Sequence, residues 1–211
     1  MSEDWLYKWE VLAELDANSN YREDVVAEAL TSYNGPLVRI ALKVLRHHPD
    51  PGQRRKRYLQ LLEANALPPD SLETLVQCFS DCGEFNLEAM HAVRALAVNS
   101  LRERVCGAAL RYFRLASTQA DLRDEARACL SVGLYFRYSD LRVTAAQMCA
   151  DAGDMRWMSV VRGSSRDFER LGHVPAPEHE DDIRAILSVA EAKDGTSAYT
   201  RALRQVLFLR S

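Results

Sequence analysis

The segment Ser139-Asp140-Leu141-Arg142-Val143-Thr144-Ala145-Ala146-Gln147-Met148-Cys149-Ala150-Asp151-Ala152-Gly153-Asp154-Met155-Arg156-Trp157 decides how the rest of the chain is read. Apolar residues at 141, 145, 148, 149 and 152 recur at helical spacing and form one stripe on one helix. The small residues Ala145, Ala146 and Ala152 in that stripe let a neighbouring helix approach closely. Gly153 supplies a helix stop, and a second helical pattern starts just beyond it. Helix, glycine turn and helix together make a hairpin, and the same unit can be followed in both directions along the chain.

Only helical periodicities occur, and no stretch alternates with the period of a strand. Asn20-x-x-Glu23, Asp70-x-x-Glu73 and Ser100-x-x-Glu103 have the form of capping boxes. Pro36 and Pro51 fit first helical turns, where a missing N–H is tolerated. Gly83, Gly153, Gly172 and Gly195 mark stops. This punctuation predicts first helices over 4–16, 36–47, 70–82, 101–116, 140–152 and 180–193. Second helices fall over 21–33, 52–66, 86–98, 121–137, 155–171 and 198–209. The expected fold class is therefore all-α, with about twelve helices in six antiparallel pairs spaced roughly 30 to 40 residues apart.

Pro36-Leu37-Val38-Arg39-Ile40-Ala41 and Leu141-Arg142-x-x-Ala145-Ala146, the latter followed by Gly153-Asp154, resemble the first helix and turn of HEAT repeats. Leu122-Arg123-x-x-Ala126 has the same signature on what is counted as a second helix. The segments 70–82 and 180–193 lack it, so the resemblance spans about residues 34 to 160. It implies a right-handed α-solenoid whose second helices line a concave face. The expected organisation is a HEAT-like stack over residues 1–172, opened by a capping helix pair, then a linker and C-terminal capping pair over 173–211. Trp5, Leu6, Trp9 and Leu12 give the first helix an apolar face suited to closing the stack. Leu203, Val206, Leu207 and Leu209 serve at the other end. Gly172-His173-Val174-Pro175-Ala176-Pro177 is the expected linker, since its two prolines forbid a continuous helix.

The chain has 211 residues, a net charge of −3 and 47% hydrophobic residues, the composition of a folded domain. Charge alternates along it. Residues 1–33 hold eight acidic and two basic side chains, whereas residues 34–66 hold two acidic and seven basic. Five cysteines, an odd number placed inside helical patterns, argue for reduced thiols and a cytoplasmic setting. No apolar run approaches the ~20 residues that cross a bilayer, so no membrane association is expected.

Arg54, Arg55 and Arg57 cluster on one second helix, and Arg94, Arg123, Arg127, Arg156 and Arg162 lie on others. Aligned on a concave face, these planar forks would grip carboxylates or phosphates. Trp157 is the aromatic candidate for the same face, with packing between helices as its ordinary role. Tyr112, Phe113, Tyr135, Phe136 and Tyr138 are too many to bury together, so one or two should reach the surface. Cys78 and Cys82 lie one helical turn apart, but no further pair completes a metal set. His179-Glu180 is the one His-Glu dipeptide. HEAT-type hydroxylases use several such dipeptides for iron, so that chemistry is not expected. No metal, cofactor or catalytic residue is assigned, and no nucleophile elbow, phosphate loop or zinc-binding helix appears.

The expected function is non-catalytic protein binding through the concave face. A bacterial immunity protein neutralising a cognate toxin is its specific form. The alternative is an alkylpurine DNA glycosylase, since those enzymes are built on similar repeats around a basic groove. A pI near 6.0 weighs against nucleic acid as the partner.

Overall fold

The computed structural model describes residues 4–63, 67–157 and 180–208, and these are all-helical, without a strand. Two separately packed units are present, Met1–Glu84 and Phe85–Ser211.

The first unit contains α1 (Asp4–Ala17), α2 (Glu23–Leu30), α3 (Gly35–Leu45), α4 (Pro51–Glu63) and α5 (Leu72–Asp81). Its centre is α3, which packs on α1, α2 and α5. Leu37, Val38, Ala41, Leu42, Val44 and Leu45 are all buried, because apolar residues cover well over half of that helix's circumference. Tyr58 of α4 lies 5.3 Å from the Phe79 ring of α5, and its hydroxyl donates to the Leu42 carbonyl at 3.1 Å. A buried tyrosine thus satisfies its polar end inside the core.

The second unit contains α6 (Leu87–Ser100), α7 (Glu103–Ala116), α8 (Arg123–Val132), α9 (Ser139–Asp151), α10 (Glu180–Asp194) and α11 (Ala198–Phe208). A 3₁₀ turn, Gly133–Tyr135, extends α8, and another covers Met155–Trp157. Successive helices α6 to α9 pack on one another, α10 packs on α6, and α11 packs on α10. The expected helix over 155–171 and the expected linker lie almost wholly outside the described residues.

Eleven described helices fall where the sequence places them, but their N-termini are built differently. The helix α2 starts at Glu23 with Arg22 as its cap residue and no side-chain cap, so Asn20 stands too early to cap it. Ser71 and Arg102 occupy the N-cap positions of α5 and α7, again without a side-chain cap bond. The working caps are Asn34, Asp50, Asn86 and, before α11, Ser197, whose hydroxyl accepts from Thr200 N at 3.2 Å. Asn34 Oδ1 accepts from Leu37 N at 3.2 Å, Asp50 Oδ1 from Gly52 N at 2.8 Å, and Asn86 Oδ1 from Ala89 N at 2.9 Å. Each lies directly before the first helical residue, the one position from which a short side chain reaches those orphan donors. Three of the four expected stops, Gly83, Gly153 and Gly195, adopt positive φ, and Gly172 lies outside the described residues.

Close helix approach is realised at Gly133. A Cβ there would stand 2.6 Å from Leu110 Cδ2 and 2.7 Å from Ala145 Cβ. The small residue Ala145 is therefore half of a contact whose other half has no side chain at all. We expect Gly133→Ala to destabilise the second unit by about 1–3 kcal/mol through overpacking, read as a lower urea midpoint with unchanged slope.

Four of the five clustered aromatics, Tyr112, Phe113, Tyr135 and Phe136, are buried, and Tyr138 is half-exposed. The first helix departs from its expected capping face. Leu12 is fully buried, but Leu6, Tyr7 and Trp9 remain exposed.

Candidate functional site

In the first unit the basic run is anchored by a residue outside it. Gly83 turns the chain after α5, and the Glu84 amide returns to the Phe79 carbonyl at 3.1 Å. This carries the Glu84 carboxylate under α4, where its side chain is 4% exposed. Arg54 Nη2 donates to Oε1 at 2.8 Å and Arg55 Nε donates to Oε2 at 2.7 Å. Burial is the largest single influence and works against the Arg54 charge. The hydrogen bond to Glu84 and the surrounding electrostatic attractions together outweigh it, and the guanidinium is held more firmly protonated than usual. Arg57 stands 3.9 Å from Glu23 and is half-exposed. Of the three arginines, Arg54 is structural, while Arg55 and Arg57 still face solvent in part.

In the second unit Arg94 joins three helices. Its Nε lies 3.1 Å from Asp182 of α10, Nη2 also donates to Asp182, and Nη1 reaches Glu125 of α8 at 3.4 Å. Arg123 is exposed. Arg127 lies against the Gly153 turn and 3.7 Å from Asp124. Arg156 donates to Asp154 at 2.7 Å and is exposed. Trp157 is 1% exposed and donates its indole N–H to Asp154 at 3.0 Å, so it takes its ordinary packing role. Arg162 lies outside the described residues.

The Arg156 hydrogen bond is the main force holding the Asp154 carboxyl below the usual carboxylate range, against partial burial. Its folded value being depressed, Asp154 contributes stability above the ordinary carboxylate pKa. That contribution is lost as pH falls through the depressed value. The near-UV signal of Trp157 is therefore expected to weaken on that acid limb, and Asp154→Asn should remove this component.

The thiols of Cys78, Cys106, Cys129 and Cys149 are free, buried and pushed up to about 12 by that burial. Such thiols are poor nucleophiles. Among the described residues no group of His, Cys, Asp and Glu could hold a metal ion. Native-state alkylation should label half-exposed Cys82 first and slowly, with the other four reacting only on unfolding. Mass spectrometry against time checks this.

The cavity in the second unit was not evident from sequence. It measures about 430 Å³ and is lined by Arg137, Tyr138, Ser139, Arg142, Asp194 and the start of α11 through Tyr199. Arg142, the arginine of the repeat-like signature, is 3% exposed and donates from Nη1 to the carbonyls of Phe136 at 2.8 Å and Arg137 at 2.7 Å. These carbonyls follow the end of the α8 extension, where backbone acceptors lack helical partners, so the arginine closes that end. Arg137 Nη1 pairs with Asp194. The Tyr199 hydroxyl donates to the Tyr135 carbonyl at 2.5 Å, joining α11 to the same turn.

No protein-family model, curated protein or solved structure matches this chain. The functional reading therefore rests on its own residues. No described helix is long and apolar enough to cross a membrane.

Proposed function

We propose that this chain is a non-catalytic protein-binding scaffold. In this reading its helices form a right-handed, HEAT-like solenoid of about six pairs. The observation that carries it is the first hairpin. Tyr33 is 99% exposed, Tyr7 67%, Leu6 48% and Trp9 38%. The described part of the same segment, residues 4–33, carries seven acidic side chains against Lys8 and Arg22. Exposed aromatics framed by one sign of charge suit a protein interface, since aromatic anchors supply affinity and charge supplies orientation. The partner is then a protein with a basic face. An immunity protein covering the cationic active site of a toxin is the form we favour.

The solvent-facing arginines of each unit, Arg55 and Arg57 in the first and Arg123, Arg127 and Arg156 in the second, are the competing contacts within this proposal. One experiment separates them from the first hairpin. The tagged full chain is purified from its native cells with whatever protein accompanies it. Trp9→Ser with Tyr33→Asp should then reduce recovery of a stoichiometric partner at least tenfold, and Arg55→Ala with Arg123→Ala should not. The reverse pattern moves the contact to the arginines. No stoichiometric partner, together with duplex DNA binding of steep salt dependence, would sink the proposal in favour of the glycosylase. That alternative requires free guanidinium groups, and Arg54 and Arg94 are engaged with Glu84 and Asp182.

A further inference from the structure

We propose that the cavity between the start of α9 and the start of α11 binds a small molecule through an oxyanion group, a carboxylate or a phosphate ester. This surface is separate from the first hairpin and does not depend on it.

The lining sets the chemistry. Two guanidinium groups, Arg137 and Arg142, stand against one carboxylate, Asp194. Arg142 is locked in place by its two carbonyl acceptors, so it needs no ordering when a ligand arrives. Arg137 uses only Nη1 on Asp194, and its Nε and Nη2 make no hydrogen bond among the described residues. Its side chain is 40% exposed, so that unused edge of the fork is reachable from solvent. A planar edge with two donors matches the two oxygens of a carboxylate or phosphate.

The backbone reinforces this charge. Both helices that begin at the cavity are longer than three turns, and each directs the positive end of its dipole toward it. The α9 start is capped by Tyr138, which supplies no side-chain acceptor. At α11 the Ser197 hydroxyl accepts the first-turn Thr200 amide and the Thr200 hydroxyl accepts the Ser197 amide. This leaves the start of α9, where Ser139 turns its hydroxyl to Asp140, as the end without a side-chain cap. The hydroxyl of Ser139 and the rings of Tyr138 and Tyr199 complete a wall able to hold a small apolar or aromatic body. A volume of about 430 Å³ suits a ligand of metabolite size. Burial pulls the Arg142 pKa down, against the attraction of Asp140 at the start of α9, and an anion in the cavity would add to that attraction.

The test is an NMR titration of the full chain at fixed ionic strength with inorganic phosphate, phenyl phosphate and benzoate as separate probes. Saturable shifts are expected at residues 137–142 and 194–199 with at least one probe, with Kd on the order of 1 mM. The probe that saturates distinguishes a phosphate from a carboxylate ligand. Arg137→Gln should weaken binding at least tenfold. Asp194→Asn, which removes the competing carboxylate, should tighten it severalfold, a gain that a purely structural role for the ion pair does not produce. Arg114→Gln, an exposed arginine on α7 outside the cavity, should change nothing. Shifts that rise linearly with every probe overturn the proposal. So does an equal loss in Arg114→Gln, or failure of Asp194→Asn to tighten binding.

Discussion

Glu84→Ala is expected to destabilise the Met1–Glu84 unit by about 3–5 kcal/mol, the cost of removing one partner from a buried ion pair. The carboxylate accepts from Arg54 and Arg55 together, and the Arg54 side chain is only 15% exposed. Arg54 Nε is already buried without a hydrogen-bond partner, so the pairing with Glu84, helped by a 3.2 Å bond from Nη1 to the Arg46 carbonyl, offsets that burial. Alanine removes the attraction and keeps the desolvation. The double variant Glu84→Met, Arg54→Met should recover much of the loss, because apolar replacement of both partners abolishes the stranded charge. Amide exchange across α3 to α5 in the full chain checks both variants. An effect under about 1 kcal/mol for Glu84→Ala would reduce the pair to an ordinary surface contact.

Arg94→Ala is the second large effect, again about 3–5 kcal/mol, and it should be localised. The side chains of Arg94 and Asp182 are 17% and 16% exposed. Without the guanidinium they share, Asp182 of α10 and Glu125 of α8 face each other as like charges. The helix α10 packs on α6, and α11 packs on α10, so loosening that contact should free the pair together. Exchange protection over residues 180–208 should therefore fall more than protection over α7, where Cys106, Ala109, Leu110 and Tyr112 form a fully buried centre. Uniform loss across the second unit would mean that α10 and α11 open only with everything else.

At Arg54 and Arg94 the fold departs from what helical periodicity predicts. Both read as members of a solvent-facing row, because arginine on a helix is ordinarily exposed. Their carboxylate partners stand 30 and 88 positions away. No local pattern could have coupled them. Arg142 is a similar case. The helical stripe through Leu141 and Ala145 leaves it off the apolar face, yet it is more buried than Leu141 because loose carbonyls at the end of α8 draw it in. The aromatic cluster was more legible: four rings do pack inward, and Tyr138, the residue at a helix start, is the one left partly outside.

What the sequence determined by itself is the all-helical class and the place of each described helix. Apolar spacing, prolines in first turns and the glycines at 83, 153 and 195 act within a few residues, and such short-range constraints are visible in a single chain. Only the tertiary structure decided which charges are buried against each other, which apolar side chains of α1 stay uncovered, and where a cavity opens. Those outcomes depend on residues distant in sequence meeting in space. The energy of a charge or an apolar ring depends on the neighbours it meets there.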